Sequence, residues 1–534
     1  MASAVAVKAS LNPSGAQVAS SSNAGLNTAG AVSSETLRAG GEDTDAAWLA
    51  KGSAIVLAGS FAGQALQFGC QIALARLLGP AEFGLYGIGW TLFRLVGPFA
   101  TLGLSSGVIY GASVADPRDA GRRRDVLLQS LVLGVLAGGI IGVIAYFGAP
   151  WLCADVFGKG ELTGVIRPFA LALPLLTGLG VASASTKLTL SMVYSAITEM
   201  FTQPALNLLF VIVALHFLHW QLMGAIQATV LSYALALMMA LFFVLSLFWP
   251  VLRSRDKMRS YVGELLAFSL PASIAGSFVN LINRVDRLVI GAFLSVTEVG
   301  IYQAASQASA LFDTVPNIFN SVIAARVADL YSRGELNRLE ELYRLGAKWS
   351  FYLTMPLFLL VCAAPVGVMH VLYGAHYQPG AWPLLIMCLG LMSDAVVGAA
   401  APILIFSGNQ KLAGSISTSA LISAIALNYT LVPRFGMIGG AISTALAEGG
   451  MLCGLMLAAK VRLGIWPYDR RWLKGLGATV CAAVALGLLR SWMGASAQLA
   501  LLPNMAVAGG VFWAVLLLFG LDPEDKNFLW KRGS

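Results

Sequence analysis

The sequence predicts an all-α polytopic membrane protein with about fourteen transmembrane helices, and three observations lead to that prediction. Of the 534 residues, 57% are hydrophobic and only 11% are charged, whereas a soluble protein keeps roughly a quarter of its residues charged to face water. Apolar residues form long runs such as 126–147 and 222–248, and about 20 helical residues suffice to cross a hydrocarbon core. These runs are continuously apolar, whereas a membrane β-barrel would alternate polar and apolar residues.

The first element is a tail, and the spans follow it. Residues 1–50 are rich in Ala, Ser, Gly and Asn without hydrophobic periodicity, so we predict a disordered cytoplasmic tail. No apolar core follows Lys8, its single early cation, so we do not predict a signal peptide. The predicted spans lie near 53–75, 84–110, 126–148, 165–187, 199–218, 222–248, 265–293, 299–325, 349–373, 381–406, 412–432, 437–459, 472–489 and 498–520.

The loop cations predict the orientation of these spans. Placing the N-terminus and the even-numbered connections on one side of the membrane collects 26 of the 34 Lys and Arg residues there. The opposite side receives five, and the remaining three, Arg94, Arg284 and Arg287, fall inside spans. Because positive loops stay in the cytoplasm, both termini are predicted to be cytoplasmic.

The chain also repeats itself. Four residues, Leu78, Glu82, Gly84 and Tyr86, recur 216 positions later as Leu294, Glu298, Gly300 and Tyr302. The stretch 58–61 recurs at 275–278, one residue out of that register. A repeat of six spans has an even number of crossings, so both copies insert in the same orientation. We therefore predict an N-terminal lobe at 51–250 (spans 1–6), a C-terminal lobe at 251–465 (spans 7–12), and spans 13 and 14 with a cytoplasmic C-terminus at 466–534.

Polar residues inside the spans form faces on helices that the repeat relates. Polar groups at membrane depth are costly and usually face a bundle interior or a wet cavity, so we predict a central polar cleft between the lobes. The alternative is that the amides act as helix–helix contacts and that neighbouring charges neutralise each other. The residues are Ser60, Gln64, Gln67 and Gln71 in span 1; Arg94 in span 2; Asn280, Asn283, Arg284, Asp286 and Arg287 in span 7; and Ser306, Ser309, Asp313, Asn317 and Asn320 in span 8.

Further intramembrane groups give weaker signals. Asp394 and Glu448 lie in spans 10 and 12, where each could be satisfied by one hydrogen-bond partner. Pro98, Pro271 and Pro316 are able to kink their helices. Five of the six cysteines lie inside spans, the four histidines lack metal-ligand spacing, and no ATP-binding loop signature is present, so no cofactor or metal is predicted.

Several motifs then resemble one family. They are Ala75–Tyr86 in the first half of the chain, and 287–291 with 298–302, 408–411, Asn428 and 433–442 in the second half. In this order they resemble the polysaccharide flippases of the multidrug/oligosaccharidyl-lipid/polysaccharide exporter superfamily, over about residues 52–465. The resemblance implies two six-helix lobes, alternating access and a cationic central cavity.

The resemblance also implies a function. The chain would flip polyprenyl-diphosphate-linked oligosaccharide repeat units, made for exopolysaccharide or lipopolysaccharide, to the outer leaflet of a bacterial inner membrane. Its partners would be that substrate, membrane lipids, and a polysaccharide polymerase and export machinery, with no nucleic acid and no enzymatic activity. Arg94, Arg284 and Arg287 would bind the diphosphate, because arginine pairs bidentately with phosphate. The amides of Gln64, Gln67, Asn280, Asn283 and Asn317 would bind sugar hydroxyls, and Asp313 or Asp286 would couple an ion.

Other functions stay open at this point. A multidrug or small-solute exporter of the same superfamily would favour a more apolar or acidic cavity, since its substrates are often cationic. A membrane glycan polymerase or ligase usually needs a large outer loop, and the longest outer connection here, near 149–164, is short. A lipid scramblase is a further alternative. The loop 111–124 resembles a motif of major facilitator transporters, although a basic loop obeying the positive-inside rule accounts for it.

Overall fold

A computed structural model gives the fold of the chain. It describes residues 29–114, 119–189, 193–254, 256–282, 284–469, 471–494 and 499–520, and at residues 29–58, 60, 272, 274–282, 285 and 325 it describes the backbone alone. The chain divides into two compact units, Met1–Leu57 and Ala58–Ser534. Residues 1–28 of the predicted disordered tail lie outside the described residues, and from Ala29 the backbone is helical, which differs from that prediction.

Helices and turns make up the described residues, with no strand among them, so the predicted all-α class is confirmed. The α-helices are α1 (Ala29–Ala100), α2 (Leu104–Ser113), α3 (Ala120–Trp151), α4 (Leu162–Leu171), α5 (Leu173–Thr186), α6 (Val193–Ser195), α7 (Gln203–Ile212), α8 (Gln221–Leu252), α9 (Val262–Ile282), α10 (Val285–Phe293), α11 (Val296–Ser309), α12 (Thr314–Ser332), α13 (Leu336–Ala363), α14 (Pro365–Tyr373), α15 (Ala381–Val397), α16 (Ala400–Leu404), α17 (Gln410–Leu463), α18 (Trp472–Met493) and α19 (Leu501–Leu518).

The apolar helices make the chain a multi-pass membrane protein. Among the described residues, ten helical stretches are long and apolar enough to cross a membrane. Two of them, Phe61–Ser113 and Ala400–Leu463, have 53 and 64 residues, which is enough length for two crossings each at about 20 residues per crossing. Each contains a glycine with non-helical backbone, Gly79 (φ 77°) and Gly436 (φ 59°). The number fourteen stays a prediction.

Two prolines mark breaks within predicted spans. The helix α1 ends at Ala100, two residues after Pro98, and α2 begins only at Leu104. In the second copy, a 3₁₀ turn precedes α12, which carries Pro316 in its first turn. Proline is tolerated in a first helical turn because its missing N–H has no intrahelical partner there. Pro271, in contrast, lies inside the continuous helix α9.

The two copies of the repeat differ in length by one residue, and a helix break lies at that place. We call residues 58–252 the first half and residues 262–463 the second half. Between the matched stretches, the second half is one residue shorter, since the offset falls from 217 at Ala58 to 216 at Leu78. Losing one residue rotates the rest of a helix by about 100°. In the second half the helix is interrupted between Ile282 and Val285, so α10 starts in a new register.

Two repeat-related glycines form a close contact between the halves, and we call this contact the glycine crossing. A Cβ atom added to Gly84 would overlap with the carbonyl oxygen of Val296, and one added to Gly300 would overlap with that of Pro80. Gly84 and Gly300 are separated by 216 positions, and so are Pro80 and Val296, so the contact is symmetric. The absence of side chains lets the two helix backbones touch, as in other close crossings of membrane helices.

Further bonds join the halves at the same end of the bundle. The Tyr377 hydroxyl donates to the Ala75 carbonyl at 2.7 Å, and Arg76 Nε donates to the Leu372 carbonyl at 2.8 Å. Lys159 Nζ donates to the carbonyl of Gly291. Desolvation lowers the pKa of the Lys159 ammonium, and the nearby carboxylate of Glu298 opposes that shift. This end of the molecule is therefore closed by hydrogen bonds to main-chain carbonyls.

The opposite end is held by the connection between the halves. Buried Asp125 accepts bonds from Arg124 (2.9 and 2.7 Å) and from the backbone N–H of Arg259 at 2.8 Å. The Gln129 side chain bonds the backbone of Arg259 and Tyr261. The helix α2 also packs against α9 here, where the Tyr110 and Phe268 rings stack 3.9 Å apart. The helices α18 and α19 pack on each other and on α13.

Candidate functional site

The first half encloses a polar cavity of about 320 Å³. Its charged groups are Arg94 and Glu199, whose charges interact with each other. Arg94 also lies 5.8 Å from the centre of the Trp90 ring. The other polar groups of the lining are amides and one phenol, which come from separate stretches of the sequence. They are Gln67, Gln71, Gln203, Asn207 and Tyr233.

The second half encloses a cavity of about 240 Å³ with more charges. Arg287 donates to Ser306 Oγ at 2.7 Å, and the Tyr302 hydroxyl donates to Asp286 Oδ2 at 2.9 Å. Its carboxylates repel one another, since the charge of Glu448 interacts with those of Asp313 and Asp286. The polar lining consists of Arg284, Asp286, Arg287, Ser306, Ser309, Asp313, Asn428, Thr444 and Glu448.

The cations of the two cavities interact with each other. Arg284 of the second half interacts electrostatically with Arg94 of the first half as well as with Arg287 beside it. Tyr233, which lines the first-half cavity, also interacts with both Arg94 and Arg284. Three like charges gathered in a partly desolvated place repel each other strongly, so the arrangement favours an anion between them.

Several buried atoms in these cavities lack a partner within the described part of the chain. In the second half they are Nε of Arg284 and Arg287, Oδ1 of Asp286 and Oδ1 of Asn428. In the first half it is Oε1 of Gln71, a side chain only 3% exposed. A buried polar atom left unpaired costs about 1–3 kcal/mol, so these atoms indicate surfaces meant for polar ligands or water.

The structure brings six of the ten predicted site residues to these cavities. Gln67 and Arg94 line the first-half cavity, whereas Arg284, Asp286, Arg287 and Asp313 line the second-half cavity.

Of the other four predicted residues, two line neither cavity and two cannot be placed from the described residues. Gln64 and Asn317 are exposed and belong to neither lining. The side chain of Asn280 and all of Asn283 lie outside the described residues. Arg94 and Asp313 line different cavities.

Sequence reasoning missed the polar face of span 5. Glu199, Gln203 and Asn207 line the first-half cavity, and they follow each other at spacings of four residues, so they share one side of a helix. A carboxylate within an apolar span was the available signal. Glu448, considered weak from the sequence, lines the second-half cavity beside Asp313.

Comparison with solved structures defines the class. The lipid II flippase MurJ, in an inward closed conformation, superposes with a TM-score of 0.71 at 14% identity, covering 87% of this chain and 98% of that one. An inward-facing multidrug resistance MATE family transporter of the MOP superfamily gives a TM-score of 0.64 at 16% identity, covering 75% and 94%. The chain therefore has the fold of the multidrug/oligosaccharidyl-lipid/polysaccharide transporters.

Sequence comparison then gives the family. Residues 73–381 match the family described as polysaccharide biosynthesis protein, so the chain belongs to that family and the predicted resemblance is confirmed. A probable low-salt glycan biosynthesis flippase of Haloferax volcanii is 24% identical over 180 residues, which are 34% of this chain and 38% of that protein. The chain spans less than two fifths of the length of the curated relatives it matches.

Proposed function

We propose that this protein flips polyprenyl-diphosphate-linked oligosaccharide repeat units from the cytoplasmic to the outer leaflet of a bacterial inner membrane, by alternating access. The observation that carries the proposal is that Arg94 of the first-half cavity interacts electrostatically with Arg284 of the second-half cavity, which also interacts with Arg287. Arginine binds phosphate oxygens bidentately, and buried arginines gain most from such a partner. The glycans named for the relatives and the family's role in polysaccharide biosynthesis support this substrate class.

The predicted orientation assigns a state to the structure. With both termini in the cytoplasm, the glycine crossing lies at the outer face. The hydrogen bonds of Tyr377, Arg76 and Lys159 around the crossing then close the path of the cargo to the outer side. Release of the cargo would require Gly84 and Gly300 to separate while the linker contacts at Asp125 hold the other end. The two predicted lobes would rock about that end.

Energy for outward transport is available from the membrane potential. Moving about two negative charges outward gains roughly 4–5 kcal/mol per 100 mV, at about 2.3 kcal/mol per charge. Asp313 and Asp286, which line the second-half cavity, would bind a coupling cation in exchange.

The test is a flipping assay with the full chain in proteoliposomes. A fluorescent polyprenyl-diphosphate oligosaccharide is added, and its arrival in the other leaflet is read by quenching with an impermeant reductant. We expect Arg94→Ala combined with Arg284→Ala to abolish flipping. The matched control is Arg333→Ala, which removes an exposed arginine paired with Asp329. Full flipping in the double variant would contradict the proposal.

One observation favours a second candidate, the export of cationic small molecules. Three carboxylates, Asp286, Asp313 and Glu448, line the second-half cavity against two arginines. If this is the function, a lipophilic cation should compete in the assay and accumulate by a route that Asp313→Asn blocks. Unchanged flipping in the presence of excess cation would rule it out.

A further inference from the structure

We propose that the first-half cavity is a saccharide site, which holds the sugar next to the diphosphate of the cargo. The inference rests on the proposed function and adds where the uncharged part of the cargo binds. It rests on the difference in charge between the two cavities and on the buried amide of Gln71.

Charge makes the first-half cavity suitable for a neutral ligand. Its lining, as the structure describes it, holds one cation, Arg94, and one carboxylate, Glu199, and the charge of Glu199 interacts with those of Lys187 and Arg94. The second-half cavity instead combines several charges of both signs. A diphosphate inside the first-half cavity would meet the Glu199 carboxylate, which repels it, whereas an uncharged polar group is not repelled.

Hydrogen-bond chemistry then selects hydroxyl groups. Oε1 of Gln71 is a buried acceptor without a partner, and Glu199 in its ionised form is an acceptor as well. The Gln71 oxygen needs a donor from the ligand. Phosphate oxygens at neutral pH accept and rarely donate, so a diphosphate does not satisfy it. Sugar hydroxyls donate and accept, and each amide can pair with two neighbouring hydroxyls through its oxygen and its nitrogen.

The position and the volume of the first-half cavity fit one sugar residue of the cargo. The cavity measures about 320 Å³, at the small end of the roughly 300–1,000 Å³ typical of ligand pockets. Arg94 lines it and interacts with Arg284 of the second half. A diphosphate bound between these two arginines therefore places the first sugar at the entrance of the first-half cavity.

The experiment measures the gain in affinity that the sugar provides. Binding of polyprenyl diphosphate and of polyprenyl diphosphate carrying one hexose is measured for the full chain in nanodiscs. We expect Gln71→Leu to reduce the affinity ratio between the two lipids about fivefold. Glu199→Gln should reduce it about 20-fold, because bonds to a charged group are stronger. The affinity of the Gln71→Leu variant for the lipid without sugar should stay within about twofold of that of the wild type.

A matched control lies in the other cavity. Asn428 is 1% exposed and also has a buried unpartnered amide oxygen, so Asn428→Leu removes the same chemistry from the second half. It should leave the affinity ratio unchanged, because the sugar does not reach it.

The outcomes separate the two proposals. If the wild type prefers the hexose lipid and neither Gln71→Leu nor Glu199→Gln changes that preference, the saccharide site is wrong and the flippase proposal stands. If Asn428→Leu removes the preference instead, the sugar binds in the second half and this inference is overturned. If the wild type binds neither lipid, the proposed function fails, and this inference with it.

Discussion

The two halves of this molecule arose from the same repeat, yet they carry different chemistry at equivalent positions. Gln71 in the first half corresponds to Arg287 in the second, and Cys70 corresponds to Asp286, both at the offset of 216 that relates Gly84 to Gly300. The shared residues build the contact between the halves, whereas the residues that differ line the cavities. Duplication thus conserves how the halves meet and frees each cavity to bind a different part of one ligand.

The largest expected effect is a difference in flipping between variants at the equivalent positions Arg287 and Gln71. Arg287→Ala removes a cation at the meeting of the cavities, so we expect flipping in proteoliposomes to fall about 30-fold or more. Gln71→Ala removes one neutral hydrogen-bonding group, and its effect should be about fivefold. Equal losses for both variants would mean that the halves do not divide the ligand between them.

The glycine crossing should respond alike to changes in either half. Gly84→Ala and Gly300→Ala each place a methyl group against a carbonyl of the other half, and overpacking of this kind costs about 1–3 kcal/mol. We expect both to shift the molecule toward opening at this end. The readout is labelling by an impermeant thiol reagent of a cysteine replacing Ser309, which lines the second-half cavity.

The control for the crossing is Gly139→Ala, because a Cβ at Gly139 meets no atom within 4 Å. It should leave labelling unchanged. If Gly84→Ala and Gly300→Ala differ by more than about tenfold in labelling rate, the contact is not symmetric in energy.

The opposite end of the molecule is tested by thermal unfolding. Asp125→Asn weakens the bonds to Arg124 and to the backbone of Arg259, and breaking a buried ion pair costs about 3–5 kcal/mol. The full chain in detergent should therefore unfold at a temperature several degrees lower. Asp119→Asn is the matched control, because asparagine caps the start of α3 as well as aspartate does. A melting temperature for Asp125→Asn equal to that of the control would show that the linker contact adds no stability.

The smallest effects compare two buried tyrosines at equivalent positions. Tyr302→Phe leaves Asp286 without its donor and should cost about 1.5–3 kcal/mol, as expected for a bond to a charged group. Tyr86→Phe removes a bond to Thr229, which keeps bonds to Asn207 and to the Ala225 carbonyl, so about 1 kcal/mol is expected. Thermal unfolding of both variants measures the difference, and a reversed order would contradict the larger contribution expected of the bond between Tyr302 and Asp286.

Much of this architecture could be predicted from the sequence because water is excluded from the bilayer. Arg94, Arg284, Arg287 and Asp313 had to turn toward polar surroundings, and the structure places each of them in a cavity lining. The spacing of polar residues along one helix predicted the cavity linings less well. Gln64 shares a helix face with Gln67, yet of these two only Gln67 lines a cavity. How far along a helix a cavity extends depends on neighbouring helices, and a helical period does not contain that information.

Other features could be recognised only in the three-dimensional structure. The sequence shows that Gly84 and Gly300 are equivalent, but only the packing shows that they touch each other. The shift of one residue between the copies is visible in the sequence, whereas the break between Ile282 and Val285 shows where the backbone accommodates it. Glu199 was missed because span 5 has no charged counterpart in the other copy to draw attention to it.

The glycine crossing has a consequence for how such a chain evolves. Each side of the contact is contributed by the same position of the ancestral unit, so one substitution in an unduplicated gene would have altered both sides at once. After duplication, a bulky residue at Gly84 meets a partner that has not changed, and no mutation at Gly300 creates room beyond what glycine already leaves. Selection must therefore hold the two codons independently at glycine, while the codons for Gln71 and Arg287 are free to diverge.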